Sequence, residues 1–182
     1  MKFTAIILAG GKSSRMGEDK GIMFLEGKPM VQHIIEVVKP LTEKIIIISN
    51  NNKYSQFGYP VFEDITKGKG PLAGILTGLQ YSTTDKNLIL SCDVPFVNKK
   101  LLDLLITNSE NSDVVIPEKE DRTHQLIGIY DKSCIPTFKR ELANNRLKMK
   151  LAIKKLNYKI IDANQIDAQV FYNINTKEDA KT

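Results

Sequence analysis

Two cysteines in 182 residues, Cys92 and Cys134, cannot build a disulfide framework, and they stand in no metal-binding spacing. A reducing, cytoplasmic setting is the expectation. No apolar run approaches the ~18 residues of a membrane-spanning helix. The stretch Phe3 to Ala9 follows Lys2 as a secretion signal would, but it is short and leads into Gly-Gly-Lys with no small-residue cleavage site beyond. Aromatics make up only 7% of the chain and do not interleave with a basic patch, which removes the stacking platform of a nucleic-acid binder. The net charge of +5 is spread among acids, as on an ordinary solvated surface. No linker or low-complexity stretch divides the chain, so one domain over residues 1–182 is expected.

What is present is an alternation of short apolar runs with helical spacing. Thr4–Leu8, Ile45–Ile48, Val61–Phe62, Leu88–Leu90 and Val114–Ile116 read as strands. Pro29–Lys39, Pro71–Tyr81 and Leu101–Ile106 read as helices, two of them with proline near the start. This order predicts a three-layer α/β/α sandwich on a mostly parallel, Rossmann-like sheet. After Pro117 the pattern changes to a strand at Gln125–Tyr130, a helix at Ile135–Ala143 and a basic amphipathic helix at Arg146–Leu156. Late strands at Lys159–Ile161 and Val170–Tyr172 and a closing helix at Thr176–Ala180 complete it.

The first strand breaks into "ILAGGKSSRMGEDKG", Ile7 to Gly21, too long and too cationic for a plain turn. Ligands of open α/β sheets bind beyond the carboxyl ends of the strands, so this loop falls at the functional edge. Gly10 and Gly11 let the backbone approach a ligand, and successive N–H groups can cup phosphate oxygens. Arg15 offers a planar fork for phosphate and Lys20 a compact charge, with hydroxyls at Ser13 and Ser14. A P-loop is excluded, because Gly17 is followed by Glu18-Asp19 rather than Lys-Ser/Thr, and G-x-G-x-x-G is absent.

The run Leu8 to Lys20, LAGGKSSRMGEDK, resembles the signature of the molybdenum cofactor guanylyltransferases, whose fold is of the nucleotidyltransferase (nucleotide-diphospho-sugar transferase) type. The resemblance implies Mg²⁺-dependent transfer of GMP from GTP to molybdopterin, with molybdoenzymes or cofactor-delivery proteins as partners. Related cytidylyltransferases typically read L-A-A-G, so Gly10 favours guanine by leaving room beside the base. The resemblance also implies backbone reading of the base by Leu8, Ala9 and Gly10, and a Lys20 contact to phosphate or ribose.

"GKPMVQHIIEVV" matches a family helix, on which His33 is expected to be a packed or capping residue rather than a base. "FEDITKGKGPLAGILTGL" puts Asp64 where the family has a nucleotide-contacting aspartate, although a turn or helix cap reads the same way. Gly70, Gly74 and Gly78 would form one smooth helix stripe, with tight packing the preferred role for Gly78. In "LILSCDVPF", Asp93 ends an apolar strand at the same edge as the first loop. Mg²⁺ takes one or two carboxylates together with substrate phosphates, and the family uses the matching aspartate for its metal. Cys92 reads as a small buried residue.

The second half matches less closely. Gln125 in "RTHQLIGIYDKS" and Lys177 in "YNINTKED" stand where the family has proline, and Asn50 in "IIIISNNN" matches only loosely. Asn173 and Asn175 are expected to face the acceptor. The basic helix is a second candidate for the acceptor, or an ordinary solvated face. Residues 1–117 are expected to bind the nucleotide and 118–182 the acceptor. Other readings stay open on sequence alone: a cytidylyltransferase, a sugar-phosphate nucleotidyltransferase of the same fold, or a non-catalytic GTP-binding module.

Overall fold

The computed structural model describes residues 2–10, 19–176 and 179. In chain order its first half runs β1 (Thr4–Leu8), β2 (Phe24–Leu25), β3 (Lys28–Pro29), α1 (Met30–Val38), β4 (Ile45–Ile48), β5 (Val61–Phe62), α2 (Pro71–Tyr81) and β6 (Lys86–Ser91). The second half runs α3 (Lys99–Thr107), β7 (Val114–Lys119), β8 (Arg122–Thr123), β9 (Ile127–Asp131), α4 (Ile135–Ala143), α5 (Met149–Ile153) and β10 (Tyr158–Asp162).

The main sheet has the order β10-β7-β9-β6-β1-β4-β5, with β8 attached to β7. β1 pairs in parallel with β4 and β6, β4 with β5, and β7 with β10, while β9 runs antiparallel between β6 and β7. The mostly parallel three-layer sandwich is therefore what folds. β1 and β4 are apolar on both faces because both faces are covered. Ala5, Ile7, Ile45 and Ile47 pack with Val31, Ile34 and Val38 of α1 and Leu101, Leu102 and Leu105 of α3. Ile6, Leu8, Ile46 and Ile48 pack with Leu72, Ile75 and Leu79 of α2 and Phe138 of α4. Gly78 is where α2 presses on β1, since a Cβ there would lie 2.4 Å from Ile6 Cγ2.

The register makes the site. Leu8 lies opposite Ile48 on one side and Ser91 on the other, and Ile48 lies opposite Phe62. The chains leaving β1, β4, β5 and β6 thus emerge level, at the crevice where the strand order reverses about β1.

Two expected elements are corrected. The basic helix is confined to Met149–Ile153. Asn145 takes a left-handed φ of 55°, the Arg146 N–H donates to Glu141 O at 2.8 Å, and Lys148 is extended, so the chain turns before it coils. The expected strand at Val170–Tyr172 is a 3₁₀ turn, Ala168–Phe171, because the Asp167 carboxylate accepts from Gln169 N and caps it. Residues 177, 178 and 180 of the expected closing helix lie outside the described residues. The β2–β3 hairpin was not anticipated. No described helix is long and apolar enough to cross a membrane.

Candidate functional site

A cavity of about 510 Å³ opens at the level ends of β1, β4, β5 and β6. That volume suits a nucleotide-sized ligand. One side is apolar, made by Leu8, Ile48, Leu126 and Leu147, and the polar lining includes Asn50, Asp64, Lys69 and Ser91. Leu126 and Leu147 come from beyond residue 117, so the wall draws on both parts of the chain.

Gly10 lines this cavity. Its φ is not left-handed, and a Cβ there would meet only Ile48 O, at 4.0 Å. Neither the backbone nor the packing requires glycine; what glycine provides is room in the cavity. Ala9 beside it is committed inside the fold, its N–H donating to Ile48 O at 2.9 Å and its C=O accepting from Ser49 Oγ at 2.9 Å. Leu8 O accepts from Cys92 N at 3.0 Å.

Asp64 faces the cavity from beyond β5. Its N–H donates to Asn50 Oδ1 at 3.3 Å, and burial pushes its carboxyl pKa above the ordinary aspartate range. Gly74 of α2 gives it space, since a Cβ there would stand 3.4 Å from both Asp64 Oδ1 and Leu8 Cδ2. Asn50 is the residue that sequence reasoning undervalued. Its only sequence signal was an asparagine just past the second long strand.

Asp93 lies two residues beyond Ser91, in the turn that ends β6. The C-terminal segment closes on it: Asn173 Nδ2 donates to Asp93 Oδ2 at 3.1 Å, and Ile174 N–H to Asp93 O at 2.9 Å. Lys20 Nζ donates to Asn175 Oδ1 at 2.8 Å. The N-x-N spacing has a plain cause. In extended chain, alternate side chains face opposite ways, so Ile174 is buried with Met23, Leu25 and Met30 while both asparagines turn to the site. Phe171 secures the same segment against the His124 ring, centroids 4.4 Å apart.

Among the described residues, three buried side-chain oxygens have no hydrogen-bond partner: Asp64 Oδ1, Asp93 Oδ1 and Glu141 Oε1. Glu141 has Lys155 at 2.7 Å and Arg146 at 3.8 Å to balance its charge. The two aspartate oxygens have no such compensation, and each such atom costs about 1–3 kcal/mol. Asp64 lines the cavity and Asp93 follows the lining residue Ser91 by two positions, so a ligand reaching both would supply partners that the described residues do not.

Other candidates fall away. His33 Nε2 bonds Leu25 O at 2.9 Å and is structural. Burial pushes the Cys92 thiol far up, which leaves it unreactive. Gly11, Ser13, Ser14 and Arg15 lie outside the described residues. No cluster of three or more His, Cys, Asp or Glu side chains able to hold a metal occurs among the described residues.

Residues 5–158 match the family described as MobA-like NTP transferase domain. The chain belongs to the MobA-like NTP transferase family. It is 38% identical over 177 residues to a Flavobacterium johnsoniae protein named "Probable molybdenum cofactor guanylyltransferase", covering 97% of this chain and 93% of that one. A crystal structure of molybdopterin-guanine dinucleotide biosynthesis protein A from Archaeoglobus fulgidus superposes on this MobA-like chain with a TM-score of 0.83 at 23% identity, covering 98% and 95% of the two chains. The 4-diphosphocytidyl-2C-methyl-D-erythritol synthase of Anaerococcus prevotii also shares the fold, with a TM-score of 0.75 at 15% identity over 99% and 93%.

Proposed function

We propose that the chain transfers GMP from GTP to molybdopterin, forming molybdopterin guanine dinucleotide and releasing pyrophosphate. The observation that carries this reading is a pair of carboxylate oxygens without hydrogen-bond partners among the described residues: Asp64 Oδ1, on a residue lining one nucleotide-sized cavity, and Asp93 Oδ1, two residues beyond the lining residue Ser91. The name of the Flavobacterium relative supports it.

Asp64 faces the base. A guanine edge offers N–H donors at N1 and N2, which match an acceptor that has no donor among the described residues. Gly10, with the space it leaves, makes room for the purine. Leu8 and Gly10 line the floor, and Ala9, its N–H donating to Ile48 O, holds that backbone in place.

Beyond Ser91, the fit to Mg²⁺ rests on Asp93, whose Oδ1 has no partner among the described residues and meets the demand for one carboxylate completed by phosphates and waters. Bound there, the ion would neutralise phosphate charge. Lys20 places a second positive charge beside it, and Arg15 is assigned to the same phosphates. Asn173 and Ile174 N–H hold the Asp93 carboxylate and backbone in one orientation. The acceptor's terminal phosphate, with a second pKa of ~6, is already an anionic nucleophile at neutral pH. Its oxygen forms a bond to the α-phosphorus as the bond to pyrophosphate breaks, and no general base is needed. Catalysis is then neutralisation and alignment of two polyanions.

Residues 118–182 contribute most of the acceptor side, with Asn173 and Asn175 at its border. Hand-over to molybdoenzymes or delivery proteins in the cytoplasm belongs to the same reading. The test is turnover with each of the four nucleoside triphosphates, molybdopterin and Mg²⁺, identifying the dinucleotide. Only the guanine product should form. A cytosine product, or GTP binding without pyrophosphate release, would replace this reading.

A further inference from the structure

We infer that Tyr54, acting through Asp19, is a positioning residue for Lys20. The inference rests on Lys20 being a phosphate contact of the transfer reaction.

Tyr54 belongs to the 3₁₀ turn Asn52–Phe57 after β4 and has no exposed surface. Its hydroxyl donates to Asp19 Oδ1 at 2.5 Å. Asn51 Nδ2 donates to Asp19 Oδ2 at 3.0 Å, and the Gly21 N–H to Asp19 Oδ1 at 3.2 Å. Asp19 is thereby fastened from two directions. On the other side of Lys20 the chain is pressed onto the same tyrosine: a Cβ at Gly21 would lie 2.2 Å from Tyr54 Oη and 3.1 Å from Cys92 Sγ. Both neighbours of Lys20 are thus held by one buried ring and its hydroxyl.

A lysine needs this. Its side chain has large rotamer freedom and its ammonium is a point charge without directional preference. Only the backbone and the far end can place it. Asn175 meets the far end at 2.8 Å, and the Asp19 clamp fixes the near end. The clamp also gives the Asp19 carboxylate three donors of its own, so its charge is satisfied away from Lys20. Burial holds the Tyr54 phenol protonated far above its ordinary range, so it remains a donor at any working pH.

The experiment is a double-mutant cycle of Tyr54→Phe and Lys20→Ala, measured as kcat and KM for GTP with Mg²⁺ and molybdopterin, together with the GTP dissociation constant. The ring is retained in Tyr54→Phe, so Tm should move by only a few degrees. We expect kcat/KM to fall about tenfold, and no further fall from Tyr54→Phe once Lys20 is alanine. Unchanged kcat/KM, or an equal loss in both backgrounds, would overturn the inference, because a merely structural tyrosine acts independently of Lys20. If Tyr54→Phe does not fold, Asp19→Asn keeps the shape and weakens the charge-assisted bonds, and the same non-additivity is expected. If the parent protein binds GTP but transfers no GMP, the proposed function fails. The cycle on the dissociation constant then still decides the role of Tyr54.

Discussion

The cavity and the turn beyond β6 are built on opposite plans. At the cavity, the proposed base side, the protein withholds atoms: Gly10 and Gly74 have no side chain, and Asp64 Oδ1 has no hydrogen-bond partner among the described residues. Beyond β6, the proposed phosphate side, it braces them: Lys20, Asp93, Asn173 and Asn175 are tied by contacts across 155 and 80 residues of chain. On the proposed reading, the difference follows from what each side handles. A base is planar, rigid and weakly charged, so a shaped vacancy with one acceptor selects it. A triphosphate is flexible and highly charged, so its partners must be held before it arrives, since reorganising them during reaction would cost the rate they provide.

The comparison breaks most visibly at Asp93. Asp93→Ala should lower kcat by on the order of a thousandfold or more with the fold intact, read by dinucleotide formation and circular dichroism. Retained metal-dependent turnover would remove the phosphate end from the chemistry. A smaller loss should come from the brace: Asn173→Ala is expected to lower kcat about tenfold with little change in KM for GTP. A change confined to KM for molybdopterin would instead make Asn173 an acceptor contact.

The base end should respond in binding rather than in turnover. Asp64→Asn is expected to weaken GTP binding about tenfold by titration calorimetry. Its stability effect has the opposite sign. Burial raises the folded-state pKa of Asp64 above its unfolded value, so its contribution to stability is present below the unfolded pKa and is lost as pH rises through the folded one. At neutral pH the ionised side chain burdens the fold, and the variant's Tm should not fall. GTP affinity of the parent should drop as acid protonates Asp64, while the variant stays flat.

The smallest effect is expected at Gly10→Ala, which has no clash to pay for in the fold. It should leave Tm unchanged and weaken GTP binding only about fivefold, by crowding the base. A loss of Tm would show that Gly10 serves packing, as Gly78 does.

Sheet and helices were legible where one element's residues decide its state. Ile45–Ile48 could hardly be anything but a doubly covered strand, and Pro71 at the first position of α2 marked its start. The hairpin at Phe24–Pro29 was hidden because its turn uses positive φ at Glu26 as well as at Gly27, and a glutamate announces no such turn. The basic stretch from Arg146 looked helical by spacing. The turn at Asn145 and Glu141 instead sends Leu147 into the cavity wall, and a long-range contact of that kind leaves no local trace.

The same division runs through the site. From residue order alone came the strand edge and the carboxylate that ends β6, because backbone stereochemistry and hydrophobic periodicity are local properties. Tertiary structure decided that Asn50 holds Asp64, that Asn173 and Asn175 grip Asp93 and Lys20, and that Tyr54 lies under Asp19. Those bonds join residues brought together only when the sheet twists and its two helical layers close on it, and hydrogen bonding is too short in range to be written into spacing along a chain.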